Sequence, residues 1–374
     1  MKVIIDNKIP YIKGALEPFA EVIYLAGKDT TTEAVHDADA IITRTRTICN
    51  EALLAGSKVK MIATATIGFD HIDTVWCERA GIEWINAPGC NSWSVAQYMM
   101  AALHALALDK KLQLSEMTIG IIGAGNVGSK VARFCSAIGM NVLVNDPPRQ
   151  RAEGDAGFVS LHDIQQEADI ITVHTPLTYE GGDKTFHLID GIFLENCSKD
   201  IFLFNLARGE VSETIAIIDA LKTGKIKEAI IDCWENEPTI NYELLERTYI
   251  STPHIAGYSR DGKANGTIMS VRAISRKFGL GIDNWECENV ELPDNTHIQL
   301  EGTGKSDQDV IAEAILKTYP IIEDNKRLKF SPVTFEKQRG DYPVRREFPI
   351  YTINPINIRD GALTILKALG FRIG

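Results

Sequence analysis

The sequence predicts an α/β protein whose domains are built on parallel β-sheets with helices on both faces. Two observations predict this class: short apolar runs alternate with helical patterns, and a glycine-rich turn follows one of the runs. Strands that are joined by crossover helices form a parallel sheet, and they are apolar throughout because helices bury both of its faces. A length of 374 residues allows two or three such domains.

Five buried strands and four helices account for most of the first hundred residues. The strands are predicted at residues 2–5, 21–25, 40–43, 59–63 and 82–86. The helices are predicted at residues 12–19, 31–38, 51–55 and 73–80. The loops after these strands lie at the carboxyl edge of the sheet, where open α/β sheets bind ligands.

A long helix at residues 94–108 connects this domain to a second one, in which the alternation resumes. Further strands are predicted at residues 118–123, 140–145, 170–174, 201–205 and 229–232, and helices at residues 126–138, 213–223 and 264–278. The fold class is therefore two Rossmann-like, doubly wound parallel-sheet domains.

The composition changes after about residue 282. A polar loop at residues 301–307 precedes an amphipathic helix at residues 308–319 and a basic, proline-punctuated segment at residues 326–346. We interpret this tail as a small C-terminal α/β domain, and we expect it to serve in oligomerisation. The predicted domains are residues 1–95 with 256–280, residues 96–255, and residues 281–374.

Charge and cysteine content exclude several function classes. The net charge is −11, with 50 acidic against 39 basic residues, which disfavours a broad basic face for nucleic acid. No apolar run approaches the ~20 residues of a membrane span. The seven cysteines are scattered and form no C-x-x-C pair, so we expect free thiols in a reducing cytoplasm and no bound metal.

The glycine turn is the most informative motif. Gly123, Gly125 and Gly128 follow a predicted strand and open a predicted helix. The first permits a tight turn, the second lets the backbone approach a pyrophosphate, and the third lets helix and strand pack closely. The helix N-terminus offers unpaired amides to the phosphates. The alternative is a Rossmann unit that binds another nucleotide, or none.

Asp146 indicates which dinucleotide is bound. It lies 18 residues after Gly128, at the end of the next strand, where an acidic side chain accepts hydrogen bonds from the adenosine ribose. A carboxylate there repels the 2′-phosphate of NADP, so the sequence favours NAD. Arg149 and Arg151 follow closely and weaken that inference a little.

Three more residues stand near the ends of strands in the second half: Arg208, Glu237 and His254. Singly, they could be a surface charge, a turn residue and a structural histidine. Together they fit the removal of a hydride from a hydroxyl-bearing carbon. Histidine can take the hydroxyl proton, glutamate can orient it, and arginine can grip a carboxylate through two hydrogen bonds.

In these motifs and their order, residues 2–278 resemble the D-2-hydroxyacid dehydrogenase family. The resemblance implies that Arg208 binds the substrate carboxylate, that His254 is the acid/base and that Glu237 supports it. It also implies a set of cofactor contacts, which are Gly123, Gly125, Asn126, Val127, Gly128, Asp146, Thr175, Leu206, Ala207, Asp232 and Gly257.

Residues 6–11, 64–73, 87–91, 146–149, 174–177 and 254–259 resemble those members of the family that oxidise a phosphorylated four-carbon acid and dimerise through a C-terminal domain. The implied substrate contacts are Arg44, Thr45, Thr66, Arg208 and Tyr258. Thr45 stands where the family often has serine, and it keeps the hydroxyl. The residues alone also allow Arg44 and Arg46 to be solvated loop charges.

Two other functions remain open at this point. One is a different dehydrogenase of the same family, such as one that acts on 3-phosphoglycerate, which would share Arg208, Glu237 and His254. The other is a non-catalytic protein that senses NAD, as in the corepressors related to these enzymes. We expect a homodimer that binds a small phosphorylated 2-hydroxy acid.

Overall fold

A computed structural model describes all 374 residues of the chain. They fall into two compact units: Met1–Asn91 with Ser259–Glu291, and Ser92–Tyr258 with Leu292–Gly374. None of the helices combines the length and the apolar character that a membrane-spanning segment needs.

The strands, in chain order, are β1 (Lys2–Asp6), β2 (Glu21–Leu25), β3 (Ala40–Thr43), β4 (Met61–Thr64), β5 (Glu83–Ile85), β6 (Thr118–Ile122), β7 (Asn141–Asn145), β8 (Ile170–Val173), β9 (Ile201–Asn205), β10 (Ile226–Ile231), β11 (Ile250–Ser251), β12 (His297–Glu301), β13 (Thr352–Ile356) and β14 (Arg372–Ile373). The α-helices are α1 (Thr32–Val35), α2 (Glu51–Leu54), α3 (Thr74–Ala80), α4 (Ser92–Lys110), α5 (Gly128–Ala137), α6 (Pro147–Glu153), α7 (Leu161–Glu167), α8 (Gly191–Glu195), α9 (Thr214–Thr223), α10 (Tyr242–Arg247), α11 (Arg260–Phe278), α12 (Asp307–Thr318), α13 (Ile321–Phe330), α14 (Phe335–Gly340) and α15 (Asp360–Leu369).

The first unit is built on a five-stranded, fully parallel sheet in the order β2-β1-β3-β4-β5. Successive side chains of a strand point to opposite faces. Val3 and Ile5 of β1 therefore pack with Val271 of α11, whereas Ile4 packs with Val35 of α1. Both faces are covered, which confirms the doubly wound sheet that the apolar runs predict.

The predicted helix at residues 12–19 is wrong, because this segment is a series of turns between β1 and β2. Gly14 has φ +87°, which does not belong to a right-handed helix. Ile12 and Leu16 are nevertheless buried, and their spacing of four residues produces the helix-like pattern.

The second unit contains a six-stranded, fully parallel sheet in the order β11-β10-β9-β8-β6-β7. The chain leaves β6 for β7 on one side and returns to β8 on the other. The strand order therefore reverses between β6 and β8, which is the point where open α/β sheets bind ligands. Gly123 follows β6 and His174 follows β8, so both lie at this point.

The C-terminal tail forms a small parallel sheet in the order β12-β13-β14 with helices around it, so the predicted α/β character is confirmed. Val310 and Ile315 of α12 belong to the same buried cluster as Met99 and Leu103 of α4. The tail is thus part of the second compact unit. Its separate use in dimerisation stays a prediction.

Candidate active site

The glycine turn joins β6 to α5 and has no room for side chains at two of its three glycines. Gly123 has φ +89°, and a Cβ there would lie 2.9 Å from the carbonyl of His174. A Cβ at Gly128 would lie 1.9 Å from the oxygen of Gly123. Gly125 and Asn126 are exposed, and nothing lies within 4 Å of a Cβ at Gly125. The turn is tight and its middle is open, as close approach of a pyrophosphate requires.

Asp146 follows β7 and is tied to the glycine turn. Its Oδ2 accepts a hydrogen bond from the backbone N–H of Ala124 at 2.8 Å, and its Oδ1 accepts one from the N–H of Arg149 at 3.0 Å. A carboxylate has lone pairs to spare for ribose hydroxyls. Arg149 donates from Nε and Nη2 to Glu153 at 2.7 Å each, and Arg151 pairs with an acidic side chain of its own. Both arginines are thus already paired with carboxylates, which makes them weaker partners for a 2′-phosphate and favours NAD.

His174 and Thr175 follow β8 and present unpaired polar atoms. His174 Nε2 bonds to Thr172 Oγ1 at 3.0 Å, and burial lowers the pKa of the ring to about 3, so it is neutral. His174 Nδ1 and Thr175 Oγ1 are buried without a hydrogen-bond partner in the chain. Buried polar atoms are rarely left unsatisfied. A polar group of a cofactor docked on the glycine turn would supply the partner that Thr175 lacks.

Asp232 follows β10, is 1% exposed, and organises the turn that carries His254. Its carboxylate accepts hydrogen bonds from Thr252 Oγ1 at 2.6 Å, Ile255 N at 2.8 Å and Ala256 N at 2.9 Å. Burial raises the pKa of Asp232, while His254 and these donors lower it. The backbone N–H of His254 also donates to the carbonyl of Asp232 at 2.8 Å. The turn is therefore fixed to the end of β10.

His254 and Glu237 form a hydrogen-bonded pair, with 2.8 Å between Nδ1 and Oε2. Glu237 Oε1 accepts the backbone N–H of Trp234 at 2.8 Å, which fixes the carboxylate. Burial acts to lower the pKa of His254, but the neighbouring Cys233 sulfur and Glu237 carboxylate raise it well above its ordinary value. Because Nδ1 is engaged by Glu237, Nε2 is the ring nitrogen that could exchange a proton with a bound molecule.

Arg208 follows β9 and has no acidic partner in the chain. Its Nη1 donates to the carbonyl of Ala207 at 2.9 Å, and the Cys233 thiol donates to the same oxygen at 3.4 Å. Asn205 Nδ2 donates to the Arg208 carbonyl at 2.9 Å and holds the loop. A Cβ at Gly209 would lie 1.9 Å from the carbonyl carbon of Trp234, so this loop is pressed against the segment that leads to Glu237.

The remaining predicted cofactor residues lie around these groups in the second unit. Leu206 and Ala207 are buried at 7% and 6% exposure between β9 and Arg208. Val127 precedes the first turn of α5, and Gly257 follows the His254 turn; both are half-buried.

The predicted substrate residues occupy both units. In the first, Arg44 and Thr45 follow β3 and Thr66 follows β4, which places them at one edge of the sheet. Arg44 Nη1 donates to Lys8 O at 3.3 Å, and Thr45 is exposed. In the second, Tyr258 follows the His254 turn. Their role in binding stays a prediction.

A group of C-terminal side chains that the sequence did not predict lies behind the turn that carries His254. Arg345, 4% exposed, donates to the carbonyl of Ala256. Its guanidinium lies 4.5 Å from the ring centre of Tyr319 and 5.7 Å from that of Tyr342. Both tyrosines donate to Asp324, at 2.8 and 2.6 Å. An arginine in a basic segment predicts a surface position, so no sequence signal marks Arg345.

A second histidine–glutamate pair was also missed. His187 Nε2 lies 2.7 Å from Glu235 Oε1, and Glu235 Oε2 accepts the backbone N–H of Thr214 at 2.8 Å. This glutamate therefore caps the start of α9. The pair lacks the contacts with Asp232 and Cys233 that surround His254, so His254 and Glu237 are the better acid–base candidates.

Comparison with protein families and curated proteins gives a consistent result. Residues 96–256 match the model of the D-isomer specific 2-hydroxyacid dehydrogenase, NAD binding domain. The erythronate-4-phosphate dehydrogenase of Bacteroides thetaiotaomicron is 54% identical over 94% of this chain and 99% of its own length. That of Proteus mirabilis is 36% identical over 99% of each chain.

Solved structures share the fold. The D-lactate dehydrogenase of Aquifex aeolicus, complexed with NAD and lactic acid, has a TM-score of 0.60 and 25% identity, and the match covers 76% of this chain and 96% of that one. The NAD⁺-bound 3-phosphoglycerate dehydrogenase of Entamoeba histolytica has a TM-score of 0.62 and 25% identity. The match covers 76% of this chain and 98% of that one.

Proposed function

We propose that this chain, which belongs to the erythronate-4-phosphate dehydrogenase branch of the D-isomer specific 2-hydroxyacid dehydrogenase family, oxidises 4-phospho-D-erythronate with NAD. The product would be 3-hydroxy-2-oxo-4-phosphooxybutanoate, an intermediate of pyridoxal 5′-phosphate biosynthesis. The observation that carries the proposal is the His254–Glu237 hydrogen bond, in the same compact unit as the glycine turn and Arg208.

The residues of the cofactor site fit NAD. Gly123 and Gly128 leave no room for a Cβ, and Gly125 leaves the backbone open to a pyrophosphate. Asp146 would hold the ribose hydroxyls, and Thr175 Oγ1 would gain the hydrogen bond it lacks in the chain. When bound, NAD supplies the acceptor for a hydride from C2 of the substrate.

The residues of the chain would move the proton and hold the acid. Arg208, free of acidic partners, would bind the substrate carboxylate through two hydrogen bonds and fix its orientation. His254 Nε2 would take the C2 hydroxyl proton as it is lost. Glu237 would orient the ring through Nδ1 and stabilise the imidazolium that forms.

The phosphate of the substrate needs donors of its own. We propose Arg44, Thr45, Thr66 and Tyr258, on the strength of the similarity to relatives named for a phosphorylated substrate. The rival within the family acts on 3-phosphoglycerate, as the Entamoeba histolytica enzyme does by name. Substituting Arg44 or Thr45 by alanine should raise KM for 4-phosphoerythronate and leave the KM for NAD unchanged.

The experiment that tests this function is steady-state NADH formation with 4-phosphoerythronate, 3-phosphoglycerate and unphosphorylated erythronate. We expect 4-phosphoerythronate to give the highest kcat/KM. His254→Ala should lower kcat by about 10²–10⁴-fold, the usual contribution of general acid–base catalysis. A preference for 3-phosphoglycerate would overturn the substrate. Turnover that survives in His254→Ala would overturn the acid–base role, and a purified protein that binds NAD without turnover would support the sensor alternative.

We also propose that the chain forms a homodimer through its C-terminal tail in a reducing compartment. Phe330 at 92% exposure and Val333 at 83% lie close together in sequence, and large apolar side chains this exposed are common at interfaces. All seven cysteines are free thiols. Light scattering should give twice the mass of the chain, and Phe330→Glu should shift it toward the mass of one chain.

A further inference from the structure

We propose that the buried thiol of Cys233 turns the His254–Glu237 pair into a binding site for a soft divalent cation, such as Zn²⁺ or Cd²⁺, whose occupancy inhibits the enzyme. The inhibition rests on the proposed function, whereas the site itself rests on the geometry of three side chains. Cys233 helps to raise the pKa of His254, but the thiol itself takes part in no step of the proposed reaction.

Cys233 is placed at the site by its neighbours. It follows Asp232 at the end of β10, is 2% exposed, and donates from Sγ to the carbonyl of Ala207 at 3.4 Å. One ligand atom from each of Cys233, Glu237 and His254 lies within 4.8 Å of the other two. No other group of three histidine, cysteine or acidic side chains in the chain meets this condition.

The donor set is one that zinc takes. Zinc binds thiolate sulfur at ~2.3 Å and imidazole nitrogen or carboxylate oxygen at ~2.0–2.2 Å, in tetrahedral geometry. Ligand atoms around such an ion are therefore about 3.3–3.8 Å apart. His254 Nδ1 and Glu237 Oε2, hydrogen-bonded at 2.8 Å, would have to separate by about 0.5–1 Å, and the Cys233 sulfur, which lies within 4.8 Å of a ligand atom of each, would join them by side-chain rotation. Three protein ligands leave a fourth position for water or for an oxygen of the substrate.

The charges also balance. A thiolate and a carboxylate carry two negative charges and a neutral imidazole carries none, so one divalent cation is neutralised. Binding releases the thiol proton, and the proton of the imidazolium where it is present, to solvent. Mg²⁺ and Ca²⁺ prefer all-oxygen ligands and should not compete for a site with sulfur and nitrogen.

The consequence for catalysis is direct. A cation held by His254 and Glu237 occupies the base and the carboxylate that orients it, so the hydroxyl proton of the substrate has no acceptor. Inhibition should be reversed by a chelator, because no covalent bond is changed.

The test compares wild type with Cys233→Val and with Cys287→Val, a control that removes a thiol outside the cluster. Zn²⁺ should inhibit wild type and Cys287→Val alike. Cys233→Val should be at least about tenfold less sensitive, since loss of even a second-shell partner costs about 10–100-fold in metal affinity. Mg²⁺ at the same concentrations should not inhibit any of the three.

A second readout does not depend on activity. Co²⁺ added to the wild-type protein should give a thiolate-to-cobalt charge-transfer absorption band, which should be absent in Cys233→Val and present in Cys287→Val. Where the valine variant fails to fold, Cys233→Ala takes its place. Absence of the band in wild type, or equal Zn²⁺ inhibition with and without Cys233, overturns the proposal. A cobalt band in a protein that does not oxidise 4-phosphoerythronate would instead leave the site standing and overturn the proposed function.

Discussion

Replacing Glu237 by glutamine should move the pH dependence of the enzyme to lower pH. The carboxylate lies 2.8 Å from His254 Nδ1 and is a cause of the raised pKa of that ring. Only neutral His254 can accept the hydroxyl proton, so kcat/KM for oxidation rises as pH increases through the pKa of His254. Removing the negative charge of Glu237 lowers this pKa, and the rising limb moves with it.

The size of the shift follows from the geometry. Two charges about 4 Å apart interact by about 4 kcal/mol at an effective dielectric constant of about 20. At 1.36 kcal/mol per pKa unit, this interaction corresponds to about 3 pKa units before the effect of solvent is considered. The side chains of His254 and Glu237 are 30% and 19% exposed, so solvent weakens the interaction. We therefore expect a downward shift of about 1–2 units, together with a fall in kcat because the ring loses its orienting acceptor.

The assay is the pH profile of kcat/KM from initial rates of NADH formation, since this ratio reports the free enzyme. Glu235→Gln is the matched control, because Glu235 also contacts a histidine, His187, at 2.7 Å. The control should keep the wild-type profile, even if the lost cap of α9 lowers its stability. If the rising part of the kcat/KM profile lies at the same pH in Glu237→Gln as in wild type, or moves equally in both variants, His254 and Glu237 are not the acid–base pair.

Three further substitutions test the rest of the site. Gly128→Ala places a Cβ 1.9 Å from the Gly123 oxygen, so NAD should stabilise the variant against thermal unfolding far less than it does wild type; equal stabilisation would count against the turn. Arg208→Lys keeps the positive charge but loses the paired hydrogen bonds to the carboxylate, so kcat/KM for the acid should fall about 30-fold, equivalent to about 2 kcal/mol, with NAD binding measured calorimetrically unchanged. Arg345→Met leaves the Ala256 carbonyl without its donor, so kcat should fall about tenfold and the melting temperature should drop, consistent with about 1–3 kcal/mol for an unsatisfied buried group; wild-type kcat would contradict a role for the tail behind His254.

Local sequence patterns were sufficient to predict the parallel sheets and the glycine turn. Residues 40–43 are four consecutive apolar or β-branched residues, and β3 occupies the same four positions, because a strand covered on both faces needs no polar residue. Gly128 is required by a clash with the Gly123 oxygen and Gly123 by its φ of +89°, so both requirements arise within six residues and the spacing alone indicates the turn. The turns at residues 12–19 could not be predicted, because the buried Ile12 and Leu16 imitate a helix face.

The surroundings of the proposed acid–base pair, His254 and Glu237, depend on the order of the strands in the sheet, which the sequence does not reveal. Cys233 and Ala207 meet because β9 and β10 are neighbours, although 26 residues separate them. Arg345 reaches Ala256 from 89 residues away, and its burial depends on that carbonyl and on the rings of Tyr319 and Tyr342. Hydrophobic periodicity carries no information about such long-range polar contacts. The predicted roles of Arg208, Glu237 and His254 came instead from the combination of three motifs.

The most direct test of the central claim follows the hydride itself. 4-Phospho-D-erythronate that carries deuterium at C2 is incubated with the protein and NAD, and the NADH formed is analysed by mass spectrometry. The account predicts NADH one mass unit heavier than that from the unlabelled acid, and no label transfer in His254→Ala on the same time scale. NADH without deuterium, or no NADH from this acid under conditions where the protein binds NAD, would contradict it.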